Sequence, residues 1–141
     1  MVGFQRVYVD ASIVVRLALK QPGALYNVKW SFGVSSELIS VEVLRVLDHL
    51  HVTRRPPAEE MALFREHADA NLKRLHLVQL DSMVLSRAGA AFSAPVGTLD
   101  AIHLATALLW MESEGTPLTF LTHDRQLSNA ARTCGLQVYP V

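Results

Sequence analysis

The chain has 141 residues, enough for one domain (1–141) built on one core, and its thirteen basic and thirteen acidic residues cancel, so net charge gives no support for a nucleic-acid binder. Half the residues are apolar, yet Arg16, His103 and similar residues break every apolar run short of the roughly 18 needed to cross a bilayer, which excludes a membrane span. The single cysteine, Cys134, excludes an internal disulfide, and with no Cys or His beside it a zinc site is not expected.

Residues Met1 to Asp10 read as a strand rather than a secretory signal, so the protein is expected in the cytoplasm. Val7, Tyr8 and Val9 favour β structure up to Asp10. Ala11 to Lys20 then places Ile13, Val14, Leu17 and Ala18 at helical spacing. Pro22 and Gly23 punctuate the chain before a weak helix predicted at Ala24 to Ser31 and a short strand at Gly33 to Ser35. Ser36 is a suitable cap for a helix running to Val52, which Pro56 and Pro57 stop. Ala58 to Lys73 forms the next helix, with Glu59 and Glu60 in its first turn and Lys73 and Arg74 at its end, in accord with the helix dipole. The remainder alternates: strand at Leu75 to Leu80, helix at Ser82 to Phe92, helix at Thr98 to Glu112 with Thr98 as cap, strand at Leu118 to Leu121, helix at Arg125 to Thr133, strand at Leu136 to Tyr139. Such alternation predicts an α/β fold with a parallel sheet covered on both faces.

Four carboxylates interrupt or flank apolar runs. Asp10 and Asp124 each end a strand and are accompanied by a hydroxyl, Ser12 and Thr122. Asp100 stands in the first turn of a helix rich in small residues, and Glu42 lies among Leu38, Ile39, Val46 and His49 on a largely apolar helix face. Each has a plain alternative. Asp10 and Asp124 read as helix caps, Asp100 as a carboxylate favouring a helix N-terminus, and Glu42 as a partner of Arg45 or Arg16. All four, however, can meet at one edge of a parallel sheet, where open α/β sheets bind ligands. Gathered there, they would repel one another unless a cation intervened, and all-oxygen ligands suit Mg²⁺ or Mn²⁺. Such an ion suits phosphodiester hydrolysis, since it lowers the pKa of an attacking water and neutralises charge on the phosphate.

Other candidates carry less. His103 could pair with Asp100 as a metal ligand, but with every other candidate a carboxylate it reads better as an imidazole packed on the sheet. Arg54, Arg55, Lys73 and Arg74 are the densest basic groups and candidates for phosphate contacts, with solvated helix ends as the equal alternative. Trp30, Trp110 and Phe64 read as core or interface residues.

In this order the segments Val9 to Ser12, Val41 to Arg45, Leu99 to Ala107 and Leu121 to Asp124 resemble the PIN-domain family, most closely the VapC-type ribonuclease toxins of toxin–antitoxin pairs. The resemblance runs nearly end to end and implies a three-layer α/β/α sandwich with a central, mainly parallel sheet of four or five strands. It implies a Mg²⁺- or Mn²⁺-dependent endoribonuclease, with Asp10, Glu42, Asp100 and Asp124 as the acidic metal-binding and catalytic site. Asp10 and Asp100 would be the direct ligands and Ser12 and Thr122 polar support. It further implies an RNA substrate, a homodimer, and a cognate antitoxin protein covering the acidic groove. Two rival readings keep part of this: a PIN-type nuclease acting on structured DNA or precursor RNA, and a non-catalytic PIN-like module that binds a protein. Pro22 to Gly33 is the stretch least like the family, and there target choice is expected to be shaped.

Overall fold

The computed structural model describes residues 1–140. In chain order the elements are β1 (Val2–Val9), α1 (Ala11–Ala18), β2 (Val28–Ser36), α2 (Leu38–Arg54), α3 (Ala58–Lys73), β3 (Leu75–Val78), α4 (Ser82–Ala88), α5 (Thr98–Glu114), β4 (Thr119–Thr122), α6 (Arg125–Thr133) and β5 (Gln137–Pro140). The strands pair in the order β3-β2-β1-β4-β5, and every pairing is parallel.

Alternation along β1 divides the core in two. Val7 and Val9 point to one face, where they pack with Ile13 and Val14 of α1, Ile39, Val43 and Leu47 of α2, and Met61 and Ala68 of α3. Tyr8 points to the other, against Leu104 and Ala107 of α5 and Leu127 and Ala130 of α6. The outcome is the expected three-layer α/β/α sandwich. On the α5 side, Val84 of α4 packs on Ile102 and Ala105, so α4 covers α5.

Because all strands run the same way, their carboxyl ends share one edge. The chain builds β1, β2 and β3 outward in one direction and then returns to β4 on the other side of β1. The topological switch point therefore lies between β1 and β4, where a crevice opens at the strand ends. Asp10 and Asp124 leave the sheet at that crevice.

Several local expectations need correction. The helix predicted at Ala24 to Ser31 does not form: β2 starts at Val28, with Val28, Lys29 and Trp30 paired to Val2, Gly3 and Phe4. Pairing with the central strand satisfies backbone groups that a weak helical pattern would otherwise have claimed. Ser36 ends β2 instead of capping α2. The cap position is Glu37, although Ser36 Oγ still accepts the Leu38 N–H at 3.1 Å. Thr98 is the first helical residue of α5 and Gly97 its cap, with no side-chain cap bond. The Ser82 helix stops at Ala88, with Gly89 as its cap, and β3 ends at Val78.

Gly33 is demanded by packing. A Cβ there would meet Trp30 Nε1 at 2.6 Å and Leu75 Cδ2 at 2.9 Å. Gly33→Ala should therefore destabilise the fold by about 1 to 3 kcal/mol through overpacking, read as a lower urea midpoint. An unchanged midpoint would show that Trp30 yields freely.

Candidate active site

The site is assembled where β1 and β4 end. Asp10 caps α1 and is nearly inaccessible, with 5 % of its surface exposed. Its Oδ2 receives the Ser12 hydroxyl at 2.7 Å, the Thr122 hydroxyl at 2.9 Å and the Ser12 N–H at 3.3 Å. Those two hydroxyls also tie the strand ends together. Ser12 Oγ accepts the His123 N–H at 3.0 Å, and Thr122 Oγ1 accepts the Asp124 N–H at 3.0 Å. Asp10 Oδ1 has no hydrogen bond among the described residues and stays available. Asp124 caps α6 through Oδ1, which accepts the Leu127 N–H at 3.0 Å. The cap readings of Asp10 and Asp124 are thus correct as local geometry, yet each cap engages a single oxygen.

Asp100 enters from the first turn of α5 with no hydrogen bond or ion pair among the described residues. Burial, together with the charges of Asp10, Asp124 and Glu42, raises its pKa to about 6, against a smaller lowering by His103. The four carboxylates predicted from sequence therefore feel one another's charge in one region. Among the described residues no arginine or lysine pairs with any of them. Arg45 bonds Asp48 instead, and Arg16 bonds the Pro22 carbonyl.

Glu42 has a partner that sequence reasoning missed. Its Oε1 lies 2.5 Å from His103 Nε2, and the carboxylate side chain is only 18 % exposed. His103 is fully buried, and its Nδ1 lies 2.6 Å from the Tyr8 hydroxyl. Tyr8 accepts the Ser36 N–H at 3.1 Å, which directs its own proton to Nδ1 of the neutral ring and leaves the Nε2 proton for Glu42. Burial pushes the His103 pKa down, but the Glu42 bond and the charges of Glu42, Asp10 and Asp100 outweigh it and move the pKa up. In either protonation state Nε2–H faces Glu42. Burial holds the Tyr8 phenol far above its usual range, so it remains a neutral donor. The available signal was a tyrosine near the end of β1, facing a helix whose first turns carry a histidine.

The proposed RNA contacts are not part of this cluster. Arg54 and Arg55 end α2, about 18 Å along the helix from Glu42. Lys73 pairs with Asp69 at 2.8 Å, and the Arg74 guanidinium lies 4.7 Å from the Trp30 ring centroid.

A family model for the PIN domain matches residues 7–133. The chain belongs to the PIN-domain family. This PIN domain is 33 % identical over 137 residues to Ribonuclease VapC46 of Mycobacterium tuberculosis, spanning 94 % of the chain and 95 % of that relative. Its fold is similar to that in the crystal structure of VapBC2 from Rickettsia felis bound to a DNA fragment from their promoter (TM-score 0.58, 14 % identity, 95 % of this chain and 97 % of that one). It is also similar to PAE2754 from Pyrobaculum aerophilum (TM-score 0.53, 19 % identity, 97 % and 83 %).

The residues suit a hard divalent cation. The donor set is all oxygen, it carries surplus negative charge, and Asp10 Oδ1, Asp124 Oδ2, Glu42 Oε2 and both Asp100 oxygens accept no hydrogen bond among the described residues. At the same time, no three His, Cys, Asp or Glu side chains among the described residues stand close enough together to form a finished metal cage.

The raised Asp100 pKa has a thermodynamic sign. An acid with pKa about 6 when folded and 3.8 ordinarily costs the fold nothing below pH 3.8; stability falls as pH rises from 3.8 to about 6, and the loss is complete above that. Asp100→Asn should thus stabilise the metal-free protein at pH 7 by about 1 to 2 kcal/mol, with the difference shrinking towards pH 4. Urea unfolding in EDTA at the two pH values checks this, and a variant no more stable than wild type at pH 7 would refute it.

Proposed function

We propose that this PIN domain is a metal-dependent endoribonuclease, the toxin of a type II toxin–antitoxin module. The observation that carries the reading is a set of four carboxylates, Asp100 within reach of the charges of Asp10, Asp124 and Glu42, with no lysine or arginine paired to any of them among the described residues. The likeness to a ribonuclease over nearly the whole chain supports it.

Asp10 and Asp100 would hold Mg²⁺ or Mn²⁺, with Glu42 and Asp124 placing water or a second ion. When bound, the ion supplies a lowered pKa for the attacking water and neutralises charge building on the phosphate. The chain's own residues do the rest. Ser12 and Thr122 fix Asp10 by occupying Oδ2, which leaves Oδ1 free. The Tyr8–His103 pair fixes Glu42 in the same manner, leaving Oε2 free. In-line attack on an RNA phosphodiester would yield 5′-phosphate and 3′-hydroxyl ends. An antitoxin protein as inhibitor and a homodimer as the working assembly complete the proposal. Exposed Val41, Leu44 and Val52 on α2 and Met83, Leu85 and Leu99 around α4 and α5 offer apolar surface for both. Among the described residues no helix is long and apolar enough to cross a membrane.

Incubation with cellular RNA and Mg²⁺, followed by mapping of new 5′ ends, tests the activity. Asp10→Asn or Asp100→Asn should lower cleavage about a thousandfold with the fold retained, and EDTA should stop the wild type. Full activity in either variant would remove that residue from the mechanism.

A further inference from the structure

The acidic crevice repels phosphate, so an RNA strand needs basic contacts elsewhere. One set lies at the far end of α1. Between the end of that helix, the 21–27 loop, the start of β2 and the last turn of α3 is a cleft of about 410 Å³, within the roughly 300–1,000 Å³ of small-ligand sites. The basic side chains lining it are Lys20, Lys29, His67 and Arg74, and no carboxylate lines it. Lys20, Lys29 and Arg74 are paired to no acid among the described residues. That is a concentrated positive field in a chain of zero net charge.

The cleft also has stacking surfaces. Arg74 lies flat enough over Trp30 for a cation–π contact, at 4.7 Å from the ring centroid, while Tyr26 is 58 % exposed and its ring is open to a partner. An open aromatic face beside unpaired ammonium and guanidinium groups suits one nucleotide, its base stacked and its phosphate held.

The cleft lies at the opposite end of α1 from the acidic site, and that helix connects the two. Ser12, bonded to Asp10, and Arg16 lie four residues apart on one face of α1, and Arg16 Nη1 reaches the Pro22 carbonyl in the loop that walls the cleft. Lys20 follows at the end of the helix. Trp30 in the cleft pairs with Phe4, six residues before Asp10 on β1, so the two sites stand about 20 Å apart, which a single strand covers in about three to six nucleotides.

We propose that this cleft is a second binding site for the RNA strand, holding a nucleotide about three to six positions from the scissile phosphate. The proposal rests on RNA being the substrate. It gives part of the Pro22 to Gly33 stretch, where the sequence leads us to expect target choice to be shaped, a role in substrate selection.

Lys20→Ala/Lys29→Ala and Tyr26→Ala test it, since all three side chains are exposed and each variant should unfold at the wild-type temperature. The probe is a short labelled single-stranded RNA of mixed sequence, measured by fluorescence anisotropy in EDTA so that no cleavage occurs. Each variant should bind about tenfold more weakly than wild type, and the lysine pair should also flatten the salt dependence. With Mg²⁺ added, KM for RNA should rise while kcat holds. Wild-type binding that both variants preserve within twofold overturns the second site and leaves the nuclease reading intact. AMP binding that the lysine variant loses, with RNA affinity unchanged, assigns the cleft to free nucleotides and also overturns it. Absence of any wild-type RNA binding overturns the site together with RNA as the substrate.

Discussion

Uncompensated negative charge at the end of the central strands is the constraint around which this molecule is arranged. Asp10, Glu42, Asp100 and Asp124 are brought into one region by a wholly parallel sheet that reverses its order between β1 and β4. A fold selected for stability alone would place an arginine or lysine there, since removing carboxylates from water without a counter-charge costs several kcal/mol per ion. The protein supplies neutral hydroxyl donors and one imidazole instead. That choice lowers stability and, on the proposed function, leaves the carboxylates open to a cation, the usual trade at a functional site.

The scaffold limits the cost by assigning one oxygen of a carboxylate to the protein and leaving its other oxygen free. Ser12 and Thr122 occupy one oxygen of Asp10, the Leu127 amide one of Asp124, and His103 one of Glu42. Asp100 receives no such support, and its raised pKa records the consequence. The same bonds stitch β1, β4, α1 and α6 together, so the fold's central seam and the site's geometry are one network. Behind it, buried Tyr8 passes order from the β2 backbone to His103 and on to Glu42.

Much of this was legible in the residues. Strand-then-acid at Val9-Asp10 and Thr122-His123-Asp124 marks the switch point, because a parallel strand buried on both faces is apolar until the chain leaves the sheet. Glu42 was visible as a charge on an apolar helix face, but its partner was not, since His103 is 61 residues away and only the sandwich brings α2 and α5 together. The Ala24 to Ser31 stretch misled because long-range pairing with β1 outweighed a faint local pattern. Ser36 and Thr98 misled by one residue each: Ser36 bonds the Leu38 amide from just before the cap position, and Thr98 is already the first helical residue after Gly97. The basic pairs at Arg54, Arg55, Lys73 and Arg74 were adjacent in sequence, but helix lengths carry them away from the acids, and only Arg74 ends in a cleft with other unpaired cations.

If the acids exist to hold a divalent cation, then binding it should relieve their repulsion directly, independent of any RNA. Titrating Mg²⁺ or Mn²⁺ into the purified protein by calorimetry, with thermal unfolding followed in parallel, measures that relief. The account predicts saturable binding and a melting temperature that climbs with ion concentration, both lost in Asp10→Asn/Asp100→Asn. Neither heat nor stabilisation at millimolar ion would contradict it.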